Sequence, residues 1–164
     1  MTILIRSAEL SDAEQLASLL RTAYAGVAKR FGLTAQNCPK HPSNFQPEWI
    51  TEAMSRDAHY FVLEDEGKTI GCVALEQPQP EVCYLGRLAV LPEYRHKKAG
   101  KMLVDHLFAE ARHLGAERVE IGIIAAHETL RAWYESFGFE EIRRASFPHL
   151  PFEVLFMRRD LAAS

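Results

Sequence analysis

Apolar positions along this chain recur with two periods, near 2 and near 3.6 residues, and the switches between them mark out the elements. Ile3 and Ile5, set against Arg6 and Ser7, predict a short first strand. Leu16, Leu19, Leu20, Ala23 and Val27 follow at helical spacing, so a helix runs to about Gly32, opened by a capping box of Ser11 and Glu14. Residues 33–47 carry three prolines, two asparagines and a serine and read as a long loop; a short helix follows from Pro47 to about Arg56. His59 to Glu64 and Thr69 to Leu75 are β-branched and aromatic runs around Asp65-Glu66-Gly67-Lys68, the pattern of a hairpin. Glu81 to Leu91 is a further strand closed by Pro92, and Ala99 to Leu114 a helix ended by Gly115. Arg118 to Ala125 reads as strand, His127 to Phe137 as helix ended by Gly138, and Phe139–Arg144 and Phe152–Met157 as strands.

The order is β α α β β β α β α β β. Its strand-helix-strand segment from 81 to 125 demands a parallel crossover, with antiparallel strands added before and after it. A mixed sheet with helices on both faces follows, an α/β fold. No repeat, low-complexity tract or linker divides the chain, so residues 1–164 read as a single domain.

Composition narrows the function classes. The formal net charge of −3 gives no global reason for a nucleic-acid or membrane partner. Cys38, Cys72 and Cys83 are an odd number without paired spacing, two of them within apolar runs, and no signal peptide or membrane-length apolar run is seen. A cytoplasmic location is the expectation. Cys38-Pro39-Lys40-His41 supplies two metal-binding side chains where zinc needs three or four, so no metal is expected.

Chemistry concentrates where a strand passes through a tight loop into a helix: Leu88-Ala89-Val90-Leu91-Pro92-Glu93-Tyr94-Arg95-His96-Lys97-Lys98-Ala99-Gly100-Lys101. The first N–H groups of a helix lack internal partners and bind phosphate oxygens. Arg95, Lys97, Lys98 and Lys101 add positive charge, and Gly100 permits close backbone approach, so an anionic ligand such as a pyrophosphate is the direct reading. Neither a Walker loop nor a dinucleotide fingerprint is present.

With this segment the sequence resembles the GNAT family of N-acetyltransferases. That family's acetyl-coenzyme A motif is Arg or Gln, two residues, Gly, one residue, then Gly or Ala, after a strand ending in Val-x-Pro. Arg95, Lys98 and Gly100 occupy those positions after Val90-Leu91-Pro92, and Lys98 departs from the usual glycine. A second family element reads here His127-Glu128-Thr129-Leu130-Arg131-Ala132-Trp133-Tyr134-Glu135-Ser136-Phe137-Gly138-Phe139. Tyr134, Gly138 and Phe139 match, while His127 and Leu130 replace Asn and Ala.

The resemblance implies a mostly antiparallel sheet of six or seven strands with a splayed parallel central pair. It also implies transfer of acetyl from acetyl-CoA to a primary amine of a small molecule, amino acid or peptide, by direct attack through a tetrahedral intermediate. A non-catalytic acyl-CoA-binding sensor is the alternative. The pantetheine arm would run beside Leu88, Ala89 and Val90, and a bulge in the 81–91 strand would aim an N–H at the thioester carbonyl. The segment Arg95, His96, Lys97, Lys98, Ala99, Gly100 and Lys101 would hold the pyrophosphate. Tyr134 would be the general acid, and His127 would either touch the cofactor or cap its helix. Tyr84 stands where some relatives carry a glutamate base, so the base stays open among Glu81, Tyr84, Glu76, His149 and a water chain. The loop with Phe45 and Trp49 would form the acceptor pocket, with His149 on its opposite wall. Acidic loop residues point to a cationic acceptor, and relatives commonly form homodimers.

Overall fold

The computed structural model describes residues 3–95 and 98–161. Seven strands form one sheet: β1 (Ile3–Ser7), β2 (His59–Asp65), β3 (Lys68–Gln79), β4 (Val82–Val90), β5 (Arg118–Ile124), β6 (Glu140–Ser146) and β7 (Glu153–Asp160). Their order is β1-β2-β3-β4-β5-β7-β6, antiparallel throughout except for β4 beside β5. Helices α1 (Ala13–Arg30) and α2 (Pro47–Ser55) cover one face; α3 (Ala99–His113) and α4 (Glu128–Glu135) cover the other.

Period-two alternation feeds both layers. On β2, Tyr60 and Val62 pack toward α1 and α2, while Phe61 and Leu63 pack toward α3. On α3, Leu103, Val104, Leu107 and Ala111 are fully buried at helical spacing, and a buried leucine of this kind contributes ~1.5–3 kcal/mol. Between β2 and β3 the two-residue turn puts Glu66 at φ +50° and Gly67 at φ +85°, the left-handed pair that matches strand twist.

Three of the boundaries that differ from the sequence expectation have a plain physical cause. Ser11 does not cap α1. Arg6 instead holds both carboxylate oxygens of Asp12 at 2.8 and 2.9 Å, and Asp12 accepts the Glu9 N–H at 2.7 Å. This ties a 3-10 turn over Leu10–Asp12 to β1, and α1 starts only at Ala13. Strand β3 continues four residues past Leu75, through Pro78, because its pairing with β4 shifts register between Glu76 and Gln79. A proline there interrupts no regular ladder bond. The last strand runs to Asp160, not Met157, since β5 pairs with β7 as far as Arg118 opposite Asp160.

Candidate active site

Parallel pairing of β4 with β5 covers only Val82–Tyr84 against Arg118–Glu120. Beyond it the strands part: β4 stays with β3 and β5 stays with β7. The gap is a cleft of about 840 Å³, with Leu85–Leu88 on one wall and Ile121–Ile124 on the other. Tyr24 and Val27 of α1, Cys38–Pro42, Leu130 and Tyr134 of α4, and His149 between β6 and β7 also line it. Strand edges that face each other without pairing can accept an extended ligand as an added strand.

Inside the cleft β4 carries the expected bulge. Cys72 pairs with Ala89 and Ala74 with Gly86, so Val73 alone opposes Arg87 and Leu88. Arg87 sits at φ +52°, left-handed for a residue with a side chain. Two side-chain donors hold the bulge: the Tyr24 hydroxyl donates to the Leu88 carbonyl at 2.6 Å, and the Cys72 thiol to the Arg87 carbonyl at 3.3 Å. A planar trans peptide turns each N–H opposite its carbonyl. Fixing the Arg87 carbonyl toward Cys72 therefore fixes the Leu88 N–H in the other direction.

Tyr134 is 5% exposed and lines the same cleft. Burial, with Tyr24 adding to it, pushes its hydroxyl well above the ordinary phenol range, so it stays protonated at neutral pH. His127 caps α4, its Nδ1 accepting the Leu130 N–H at 3.3 Å, and its ring also lines the cleft. Burial, then the Arg30 charge, lowers its pKa.

The loop into α3 is built differently from a simple cluster of charges. Lys98 lies at φ +60°, which explains why relatives favour glycine there. The helical ladder begins with Met102 N–H donating to Lys98 O at 3.1 Å, so the N–H groups of Ala99, Gly100 and Lys101 stand ahead of it. Arg95 donates to the Val90 and Ala23 carbonyls at 3.2 and 2.7 Å, fastening the loop to α1. Lys101 pairs with Asp105 at 2.6 Å. A Cβ on Gly100 would come within 3.1 Å of the Trp133 ring, so this glycine is needed for the contact between α3 and α4. His96 and Lys97 lie outside the described residues.

Strand register assembles a row that no single segment displays. Glu76 pairs with Tyr84, Tyr84 with Glu120, and Glu120 with Arg158, on four adjacent strands; all four line the cleft. Facing side chains in such pairs stand ~5 Å apart. Tyr84 is thus flanked by two carboxylates from the strands beside it. Of the other proposed bases, His149 lines the cleft, whereas Glu81 lies outside its lining, in the turn before β4, its carbonyl accepting the Glu117 and Arg118 N–H groups. Phe45 and Trp49 line a separate cavity of about 300 Å³, which meets the cleft through Lys40, Glu76 and Arg87.

Sequence reading passed over Glu120 and Tyr24. The alternation of Arg118, Glu120 and Gly122 against Val119, Ile121 and Ile123 marks Glu120 as facing away from the core, a usable signal. Tyr24 had none, being one more large residue along α1. Among the described residues no three His, Cys, Asp or Glu side chains are grouped for a metal, and no helix is long and apolar enough to cross a membrane.

This geometry has known counterparts. An uncharacterised N-acetyltransferase of Escherichia coli, YjgM, is 28% identical over 162 residues, covering 94% of this chain and 93% of its own. Another, from Chlorobaculum tepidum, is 26% identical over 144 residues, covering 88% of this chain and 79% of its own. Among solved structures, the ribosomal-protein-S18-alanine N-acetyltransferase of Escherichia coli superposes with a TM-score of 0.76 at 18% identity, covering 99% of this chain and 96% of that one. An acetyltransferase of Salmonella typhimurium, solved with its cofactor acetyl-CoA, superposes at 0.73 with 17% identity, covering 100% and 96%. Residues 20–139 match the acetyltransferase (GNAT) family as a whole. The chain belongs to that family of acetyl-CoA-dependent N-acetyltransferases.

Proposed function

We propose that this enzyme passes acetyl from acetyl-CoA to a primary amine of a small molecule, amino acid or peptide by direct attack on the thioester. The observation that carries this is the splay of β4 from β5 with a held bulge on one wall and a buried, protonated tyrosine on the other. In this reading the pantetheine arm pairs along Leu88–Val90, and the free N–H groups at the start of α3 receive the pyrophosphate. The Leu88 N–H donates to the oxyanion of the tetrahedral intermediate, a contribution of ~3 kcal/mol at such sites. Tyr134 protonates the leaving thiolate; among the described residues its hydroxyl has no hydrogen-bond partner in the protein, which leaves its proton for the substrate.

The amine arrives over Tyr84 between Glu76 and Glu120. Arg118 occupies the Glu120 carboxylate at 2.7 Å, whereas Glu76 has no ion pair among the described residues and is left open to the amine. Glu76 is therefore the base we assign. That a structural neighbour is named for acetylating an alanine of a ribosomal protein supports a peptide or amino-acid amine as acceptor.

The test is thermal unfolding with acetyl-CoA, with adenosine triphosphate and without ligand, followed by thiol release in the presence of amines. A ligand at ~100 times its Kd adds ~2.7 kcal/mol to the folded state. A raised midpoint with acetyl-CoA alone, and thiol release that depends on an amine, are the expected results. A raised midpoint without release under any amine would favour the sensor reading, and no shift at saturating acetyl-CoA would overturn both.

A further inference from the structure

The cleft's charge runs against that of the chain. The whole sequence carries 22 acidic and 19 basic side chains, yet five of the ionised residues lining the cleft are basic and two are acidic. Both acids, Glu76 and Glu120, are strand residues in the row around Tyr84, so the loops do not supply the negative wall that the sequence suggested. Of the five cations, Arg118 is neutralised by Glu120, and Arg158 faces Glu120 and Glu140 across its strand pairs.

The remaining three are held in another way. Lys40 Nζ lies 4.5 Å from the centre of the Trp49 ring, the Arg87 guanidinium 5.2 Å from that of Phe45, and the Arg143 guanidinium 4.2 Å from that of Phe156. None of the three forms an ion pair among the described residues. An aromatic face fixes a cation by its quadrupole but neither cancels its charge nor uses up its N–H donors. All three are exposed residues whose heads are positioned by a ring and whose charge no acid among the described residues cancels. Nor do they serve the pyrophosphate: among the described residues, none from Pro92 to Lys101 lines this cleft.

We infer that the acceptor subsite takes an amine that also bears an anionic group, carboxylate or phosphate, with its amine over Glu76, Tyr84 and Glu120 and its anion against the aromatic-backed cations Lys40, Arg87 and Arg143. The inference rests on the transferase reading, which supplies the amine's position. Opposite charges on one small acceptor match the opposite charges that line one cleft, whereas a simple alkylamine would engage only its acids.

The experiment compares four acceptors with the intact enzyme: an α-amino acid, its α-amide, phosphoethanolamine and the alkylamine of the same size. The expected result is kcat/KM at least about 10-fold higher for an anionic acceptor than for the amide or alkylamine; the better of the amino acid and phosphoethanolamine identifies the anion. Arg143→Gln and Lys40→Gln should each cut the ratio of anionic to neutral acceptor by about 10- to 100-fold, the scale of a lost charge-assisted hydrogen bond. The midpoint shift given by acetyl-CoA should persist in both variants. Equal or better use of the amide or alkylamine overturns the inference, as does a loss that strikes all four acceptors alike or that removes the acetyl-CoA shift. If acetyl-CoA does not bind the wild type, the transferase reading falls by itself. Calorimetric titration of the amino acid and of phosphoethanolamine then still decides the subsite: binding weakened by Arg143→Gln upholds it, and binding absent or unaffected sinks it.

Discussion

Tyr134 and Glu76 are assigned opposite tasks, one to give a proton and one to take it, and pH separates them. An ordinary amine has a pKa of ~10.4, so at neutral pH the acceptor is charged and needs a base. Glu76→Gln should lower kcat by about 100-fold near pH 7, the lower range for general-base catalysis, with the deficit shrinking as pH rises toward the amine's own pKa. Tyr134→Phe should lower kcat by a similar factor with no such recovery, because no alkaline medium supplies the missing acid. In both variants the acetyl-CoA midpoint shift should survive. A Glu76→Gln profile parallel to that of the wild type at every pH would remove Glu76 as the base. Resemblance to a contiguous family motif singled out Tyr134 in the sequence, and the fold brings it to the cleft. Glu120, which flanks Tyr84 from the far side, was not, since alternation along a strand reports which face a residue takes and not which residue stands beside it.

Between elements, one hydrogen bond links α1 to the bulge of β4: Tyr24 to the Leu88 carbonyl at 2.6 Å. Burial raises the pKa of this hydroxyl above the usual phenol range. Tyr24→Phe leaves that carbonyl without its donor, and unsatisfied buried groups cost ~1–3 kcal/mol. The variant should unfold at correspondingly lower urea, and it should lose kcat by a larger factor than its KM for acetyl-CoA rises, because the bulge aims a transition-state donor rather than a binding contact. Equal changes in kcat and KM would show that the tyrosine only stabilises the fold. The same scale explains where sequence boundaries slipped. Ser11 satisfied the capping pattern, but the ion pair of Arg6 with Asp12, made from a neighbouring strand, set the start of α1 instead.

Across the molecule, His41 and His127 secure the two sides of the cleft to α1. The His41 ring meets Tyr24 edge-on at 5.7 Å, and the His127 ring lies 5.5 Å from that of Phe31. Burial lowers both pKa values below the ordinary ~6.5, with Arg87 adding to the effect at His41 and Arg30 at His127. The unfolded chain therefore binds more protons than the folded one just below pH 6.5, and stability rises with pH there. Their contribution is complete above about pH 6.5 and is lost as pH falls toward the folded values. Asp12, whose pKa is lowered by Arg6, acts in a separate window, losing its contribution only as pH falls below about 3.8. Urea midpoints should thus decline between pH 7.5 and 5, and less steeply in a variant carrying His41→Gln and His127→Asn. A flat profile would show that neither ring stays neutral in the folded state.

The sequence by itself determined the kind and order of the elements, the parallel crossover from β4 through α3 to β5 and the glycine-containing loop into α3. Each rests on short-range periodicity or on contiguous residues, whose preferences the backbone expresses locally. Only the tertiary structure decided the rest. It gave Arg95 to two carbonyls, gave Gly100 to the Trp133 contact, moved Phe45 and Trp49 to a neighbouring cavity, and aligned Glu76, Tyr84, Glu120 and Arg158 across four strands. Such neighbours come from strands up to eighty residues apart, and strand register follows from how two layers of side chains pack against the whole sheet. No local pattern encodes it.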